Sequence, residues 1–538
     1  DYGHLIYFEQ HELPALAHGP MDPAPAPDGA TLAFAAQGWI WLLDLETNVA
    51  TRLTDGPHVD SRPRWSPDGA RLAFVRDFGN DTGIVVRDLA SGEEQTINTP
   101  AVDLDPEFSA DGASLYYASA VTGSVDLWHV HLASGFQQQL TDLNKIERNV
   151  RRAPGGNGIV YLDGQDPHRS LRHRNFVTGQ DAIVHAETLT YHLTADVHPE
   201  RPLIVYSAPI DNDYHLFTLD LDDPRVRHRL TDGTPYALTP AFSADGDHVW
   251  FVEADENRQF HLKRIKTYGG AVETVQIEAW EYGVATGTVR LSVVDADGEP
   301  VTARVSLTRA DGHPVASPQD ATYMDSKTGR TYFYLEGDAA FTLPAGRYEV
   351  HATRGFFTPV QTAELTVRKG RDTEQTLQLE PIWNAQQAGY VSADYHNHLN
   401  GDGTSRADHG DALLLMAGED LEHTSTMTWN RWERRIDRGI LGQRTGEGPR
   451  MVDQGQEVRS HAHGHIGIIG ITDPYEPWFW GPNSPVLGDP DLANAAVLEY
   501  AKSIGAFPTY VHPGIPADDP FATPEESFRS LDSLNELI

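Results

Sequence analysis

The segment Asp394-Tyr395-His396-Asn397-His398 carries the most legible chemistry in this chain. In an extended strand, side chains at i, i+2 and i+4 share one face, so Asp394, His396 and His398 project together. Two imidazoles a few ångströms apart can grip one metal ion, and a carboxylate beside them can orient a ring or add a ligand. A second set follows: Gln456-Glu457-Val458, then His461-Ala462-His463-Gly464-His465, then the apolar strand from Ile466 to Ile471. His465 abuts that strand and is the expected ligand of its group, whereas His461 and His463 read as loop residues. Glu457 is an anion suited to bridge two cations or to ligate one. In a third segment, His512 ends an apolar run from Phe507 to Val511 and precedes the turn Pro513-Gly514. A lone His-x-His is more often a solvated strand face. Three separate segments that each bring a histidine to a strand end point to a metal centre.

These groups must be positioned by strands that alternate with helices. Asp491 is placed to cap a helix from Leu492 to about Ile504, and Gly505 stands where a helix terminus wants a left-handed residue. A shorter helix from about Asp411 to Gly418 leads into the apolar and β-branched run from Leu421 to Trp429. Helix, strand and loop in succession predict a parallel α/β core over 384–538, with reactive groups at the carboxyl ends of its strands. Trp429, Trp432, Trp478, Phe479 and Trp480 are either walls of an apolar pocket or core.

The first half of the chain is built differently. Pro27-Asp28-Gly29, Trp65-Ser66-Pro67-Asp68-Gly69, Phe108-Ser109-Ala110-Asp111-Gly112 and Phe242-Ser243-Ala244-Asp245-Gly246 each precede an apolar strand. Weaker copies stand at Ala153-Pro154-Gly155-Gly156 and His198-Pro199-Glu200, and the interval stays near 40–45 residues. One such unit holds about four short strands, the content of a propeller blade, so 1–280 is expected to form a six-bladed β-propeller. The apolar segment Tyr2 to Phe8 is expected to complete the last blade. The turns resemble those of TolB-type propellers, which implies a binding or capping scaffold. From 283 to 382 the period is lost. Gly287 to Val294, Pro300 to Leu307 and Leu343 to Val350 alternate as half-buried strands, which predicts a small antiparallel β-sandwich. This stretch resembles carboxypeptidase-regulatory-like domains, which implies a spacer.

With 538 residues, 39% of them apolar, the chain is a multidomain globular protein. A net charge of −37 excludes a nucleic-acid binder, which needs clustered Lys and Arg. Cysteine is absent, so any metal must be held by His, Asp and Glu. No apolar run is long enough for a transmembrane helix. The chain begins at Asp1, and export with a signal peptide removed is the expectation.

The order of the C-terminal segments resembles the polymerase-and-histidinol-phosphatase (PHP) metallohydrolases, in particular their carbaryl-hydrolase-like branch. Asp394-x-His396-x-His398 with Asp402, then Glu457, Gly464-His465 and His512-Pro513 carry the resemblance. It implies a distorted seven-stranded (β/α) barrel. It also implies His396, His398, Glu457, His465 and His512 as metal ligands, Glu457 bridging, and Asp402 as a further ligand or proton handler. The chain departs from the family at Thr428-Trp429, where an Asp-His pair is usual, and it lacks the family's final Asp-x-His strand. The barrel is therefore expected to be partial, completed by a second chain or oligomer if at all, with one or two divalent ions: Zn, Mn or Fe. The expected function is hydrolysis of an amide, carbamate, ester or phosphoester bond by a metal-activated water, acting on a small-molecule or peptide-like substrate. The alternative is a non-catalytic, propeller-based binding protein with a degenerate metal-binding domain. No Gly-x-Ser-x-Gly elbow occurs in the last domain, which argues against a serine hydrolase.

Overall fold

Asp-Gly turns set the architecture of the first half. In the repeated turn the Asp carboxylate accepts the backbone N–H two residues on, as Asp28 does from Ala30 (2.8 Å) and Asp111 from Ala113 (3.0 Å), and the glycine takes a left-handed φ near +70°. The computed structural model describes residues 16–79, 81–143, 145–165, 168–188, 193–210, 212–325, 328–400, 406–431, 434–460, 464–480 and 492–511. Two of the repeat glycines differ in what surrounds them. A Cβ at Gly29 (φ +70°) meets nothing within 4 Å, whereas one at Gly246 (φ +73°) falls 2.1 Å from Nε2 of His198, itself packed edge-on to Phe242. Gly29→Ala is therefore expected to cost about 1 kcal/mol of backbone strain. Gly246→Ala should cost about 1–3 kcal/mol more for the overlap. Denaturant unfolding of the two variants tests this, and equal losses would refute it.

The chain divides into two compact units, Asp1–Thr353 with Pro359–Glu380, and Arg354–Thr358 with Pro381–Ile538. In the first, described strands from Met21 to Thr274 form six successive antiparallel sheets of four strands with propeller-like build. The innermost strands of neighbouring sheets pack together in order, and Met21–Pro25 of the first sheet packs on Ala237–Phe242 of the sixth. Tyr2 to Phe8 lies outside the described residues, and the sixth sheet has its four strands without it. The strand Ala279–Glu281 instead adds in parallel to Val49–Arg52 at the edge of the first sheet.

Most innermost strands carry a bulge at the same place, with non-glycine residues at left-handed φ: Asp22 (50°), Arg62 (53°), Asp105 (53°), Asn149 (52°) and Thr239 (49°). A bulge turns a side chain out of the strand's alternation. Here it aims polar groups at the next sheet. Asp22 accepts the N–H of Arg62, Asp105 that of Asn149, Asn149 that of Ala195, and Asp196 that of Phe242, at 2.8–3.2 Å.

After Tyr282, two sheets face each other over Val289, Leu291, Val305, Phe333, Phe341 and Val350. The sandwich was expected to be antiparallel throughout. Thr286–Val294 in fact pairs in parallel with Asp372–Gln378, because the chain crosses to the second sheet before returning. The sandwich also joins the propeller-like sheets. His313 stacks on Trp39 at 3.9 Å and bonds the Gln37 carbonyl, and Arg258 reaches Asp320 and Tyr323, both at 2.6 Å.

The second unit holds β1 (Ala393–Asn397), α1 (His409–Gly418), β2 (His423–Arg431), β3 (Arg444–Glu447), β4 (Arg450–Ser460), β5 (Gly464–Ile469), β6 (Phe479–Trp480), α2 (Asn494–Ser503) and β7 (Phe507–Tyr510). Asp408 caps α1 by accepting from Gly410 and Asp411 while Asp411 returns the bond to Asp408 N–H, a reciprocal capping box. The main sheet runs β1-β2-β4-β5-β7. The fully parallel core expected from the sequence is met in part. β1, β2 and β4 are parallel, but β5 and β7 are antiparallel to their neighbours. Only three residues join Ser460 to its partner Gly464, too few for the crossover that a parallel pair requires.

Candidate metal centre

The site is built at the carboxyl ends of β1, β2 and β4. Asn397 is in register with Thr426, and Thr426 with Gln454, so the end of β1 stands level with β4 three residues before Glu457. Glu457 is fully buried. His396, His398 and Glu457 each offer a ligand atom, and the three atoms lie within 4.8 Å of one another. The His398 Nε2 is 3.1 Å from Oε2 of Glu457, and the His396 Nε2 is 3.9 Å from Oε1. The two rings stand nearly perpendicular with centroids 5.5 Å apart. Asp394, expected to orient a ring or add a ligand, accepts the backbone N–H of His396 at 3.0 Å and so fixes the chain between the two histidines.

His465 reaches the same carboxylate from β5, its Nδ1 2.7 Å from Oε1 of Glu457. It stands opposite Arg459 in the β4–β5 hairpin. Arg459, two residues after Glu457 on the same face, sets its Nε 3.6 Å from Oε1. Burial by itself would raise the pKa of Glu457. The Arg459 guanidinium, then His398 and His465 beside it, hold it well below the usual carboxylate range, so the group is an anion. Burial lowers the pKa of His396, with Glu457 opposing.

The donor set fits a divalent ion. His398 Nδ1 lies 3.0 Å from the Met427 carbonyl, which accepts only from an N–H. A neutral ring so placed presents a bare Nε2 lone pair to a carboxylate oxygen 3.1 Å away. Two acceptors at that separation call for a cation, either a proton or a metal ion. The Met427 carbonyl is thereby the group that sets the tautomer of His398.

The other expected site residues fare differently. Asp402, His461, His463 and His512 lie outside the described residues. Thr428 is buried within β2, with no hydrogen-bond partner for its hydroxyl among the described residues. Asp420 and His423, which stand shortly before Thr428-Trp429 in the sequence, lie elsewhere. Asp420 pairs with Arg354 at 2.9 Å, and His423 begins β2, about four residues or ~13 Å from the site end, beside Asp453. Trp478, Phe479 and Trp480 are buried. Arg459 went unnoticed in the sequence; the Glu-x-Arg alternation on one strand was its signal. The Met427 carbonyl, a backbone group, had no signal.

Residues 10–234 match the family model described as PD40: TolB beta propeller domain. "Uncharacterized peptidase YuxL" of Bacillus subtilis (strain 168) is 38% identical over 74 residues, 12% of this chain and 11% of that protein. This chain thus spans about a tenth of that relative's length. Among solved structures, TolB from Acinetobacter baumannii is 18% identical over 46% of this chain and 60% of its own, with a TM-score of 0.36. The tricorn protease is 13% identical over 65% of this chain and 39% of its own, with a TM-score of 0.38. An oligogalacturonate lyase in complex with manganese is 16% identical over 48% and 90%, with a TM-score of 0.34. The repeated Asp-Gly turns and the family match agree on one conclusion: the first part of this chain is a TolB-type β-propeller domain.

Proposed function

We propose that this protein is a metal-dependent hydrolase whose centre is held by His396, His398 and Glu457, with His465 orienting the carboxylate. The observation that carries the reading is the convergence of these groups from three strands on one fully buried anion. The six sheets are read as a six-bladed propeller that serves as a substrate- or partner-binding scaffold. The sandwich is read as carboxypeptidase-regulatory-like, and 384–538 as a partial PHP-type domain to which Asp402 and His512 also belong. A bound Zn, Mn or Fe ion would supply Lewis acidity, polarising a scissile carbonyl or phosphoryl oxygen and making water acidic near neutral pH. The residues do the rest. Met427 holds His398 with Nε2 toward the centre, His465 and Arg459 keep Glu457 ionised, and Asp402 is the group assigned to carry the proton. The bond class is an amide, carbamate, ester or phosphoester. Export is part of this proposal, and no described helix is long and apolar enough to cross a membrane.

The second reading is a binding protein with a degenerate centre, and Thr428 in place of the family's Asp-His pair favours it. Metal analysis of the purified chain, followed by a panel of aryl esters, carbamates and phosphoesters with added Mn²⁺ or Zn²⁺, separates the two. His396→Ala combined with His398→Ala is expected to remove the bound ion, a loss of at least about 100-fold in affinity. Unchanged metal content would sink the assignment. Metal bound without turnover of any substrate would favour the binder.

A further inference from the structure

The chain carries a net charge of −37, yet four arginines, Arg62, Arg64, Arg148 and Arg151, stand on the innermost strands of the second and fourth sheets, Val59–Trp65 and Ile146–Arg152. Arg64 Nη1 lies 3.6 Å from Oδ1 of Asp196, which belongs to Ala195–Val197 of the fifth sheet. The second and fifth of six sheets packed in order around a ring are opposite one another, so this contact crosses the axis. Arg151 Nε lies 3.6 Å from the same oxygen. Both separations exceed hydrogen-bond length. The other oxygen of Asp196 is taken by the N–H of Phe242 at 2.8 Å.

Two guanidinium groups therefore share one carboxylate oxygen without bonding it. Arg62, by contrast, is paired with Asp105 at 2.8 Å, and Asp105 also accepts from Asn149. Arg151 is only 9% exposed, and its Nε has no hydrogen-bond partner among the described residues. Burial, and after it the charge of Arg64, pull the pKa of Arg151 down to about 10, against Asp196, Glu107 and Asp105. A planar guanidinium with an unused donor in a largely buried setting is the partner that a carboxylate or phosphate takes in bidentate fashion.

We propose that the axial channel of the six sheets binds a small oxyanion, a carboxylate or a phosphate, between Arg64 and Arg151, with Asp196 as its internal competitor. The anion would take the donors that Asp196 leaves unfilled, while Asp196 keeps its bond from Phe242. This site is separate from the metal centre and does not depend on it.

The test is calorimetric titration of the full chain at pH 7, in chloride-free buffer, with inorganic phosphate and with succinate. Saturable binding of one anion per chain is expected for at least one of the two, and the tighter one identifies the chemistry of the ligand. Arg64→Gln should weaken that binding by at least about tenfold. Asp196→Asn should strengthen it by removing the competitor, an effect that a purely structural ion pair would not produce. His396→Ala with His398→Ala should leave it unchanged. If Arg64→Gln does not fold, Arg64→Lys keeps the charge, loses the fork, and should also weaken binding. No saturable heat with either anion, binding indifferent to the Arg64 variant that folds, or weaker binding in Asp196→Asn would overturn the proposal.

Discussion

Glu457→Gln is expected to abolish metal binding at the proposed centre. Glutamine keeps the length and both polar positions of the side chain but removes its charge. The carboxylate is the one acidic member of the cluster His396, His398 and Glu457, and its oxygens face His398 at 3.1 Å and His465 at 2.7 Å. A neutral amide is a poor ligand for a divalent ion between imidazoles, so affinity should fall by more than about 100-fold. The substitution also takes a negative charge from beside a largely buried cation. The Arg459 side chain is 13% exposed, and Glu457 Oε1 is 3.6 Å from its Nε. Breaking a buried pair from one side costs about 3–5 kcal/mol, reduced here by whatever solvent reaches the guanidinium. Metal per chain after dialysis, and denaturant unfolding of the metal-free protein, read the two effects separately. Glu457→Gln with full metal content would show that the histidines bind without it. Unchanged stability of the metal-free form would show that Arg459 is balanced by another group.

The propeller is legible in the sequence because its turn chemistry is local. An Asp whose carboxylate caps the next N–H, followed by a glycine at positive φ, is written in adjacent letters and repeated. The bulges that stitch one sheet to the next are written less plainly. Asp22, Arg62, Asp105 and Thr239 each precede a proline, a pattern that marks the bend, but their partners lie about 40 residues on and belong to the following sheet. The cluster of His396, His398 and Glu457 falls between these cases. Alternation brings His396 beside His398 and Glu457 beside Arg459, and strand order alone decides that the two pairs meet. The direction of β5 is not written in its own residues. Its apolar run fits either orientation, and the three-residue link between Ser460 and Gly464 selects the antiparallel one.

Acidification is expected to loosen the first unit at His313, with a sign opposite to that of its buried acids. His313 is 1% exposed, stacks on Trp39 with 3° between the rings, and donates Nε2–H to the Gln37 carbonyl at 2.9 Å. Burial pulls its pKa from 6.5 to about 4, the Gln37 carbonyl and Asp311 opposing and Arg309 assisting. The folded state therefore prefers the neutral ring. Above pH 6.5 both states are neutral and the contact is at full strength. As pH falls from 6.5 to about 4 the unfolded chain takes up the proton first, and stability drops by about 1.4 kcal/mol per unit, about 3 kcal/mol in all. Asp103 and Glu147 run the other way. Burial raises them to about 6 and about 7, so their neutral forms are favoured in the fold and they gain from acid over the same range. A wild-type pH profile mixes the two signs, and a variant separates them. His313→Phe keeps a ring on Trp39, cannot titrate, and gives up the bond to Gln37. It should be less stable than wild type at pH 7.5 by about 1 kcal/mol, the worth of that bond. At pH 4.5 the order should reverse, because only the wild type has lost the histidine contribution. Unfolding free energies of both proteins at the two pH values decide it, and parallel pH dependences would show that His313 does not govern the joint between sheets and sandwich.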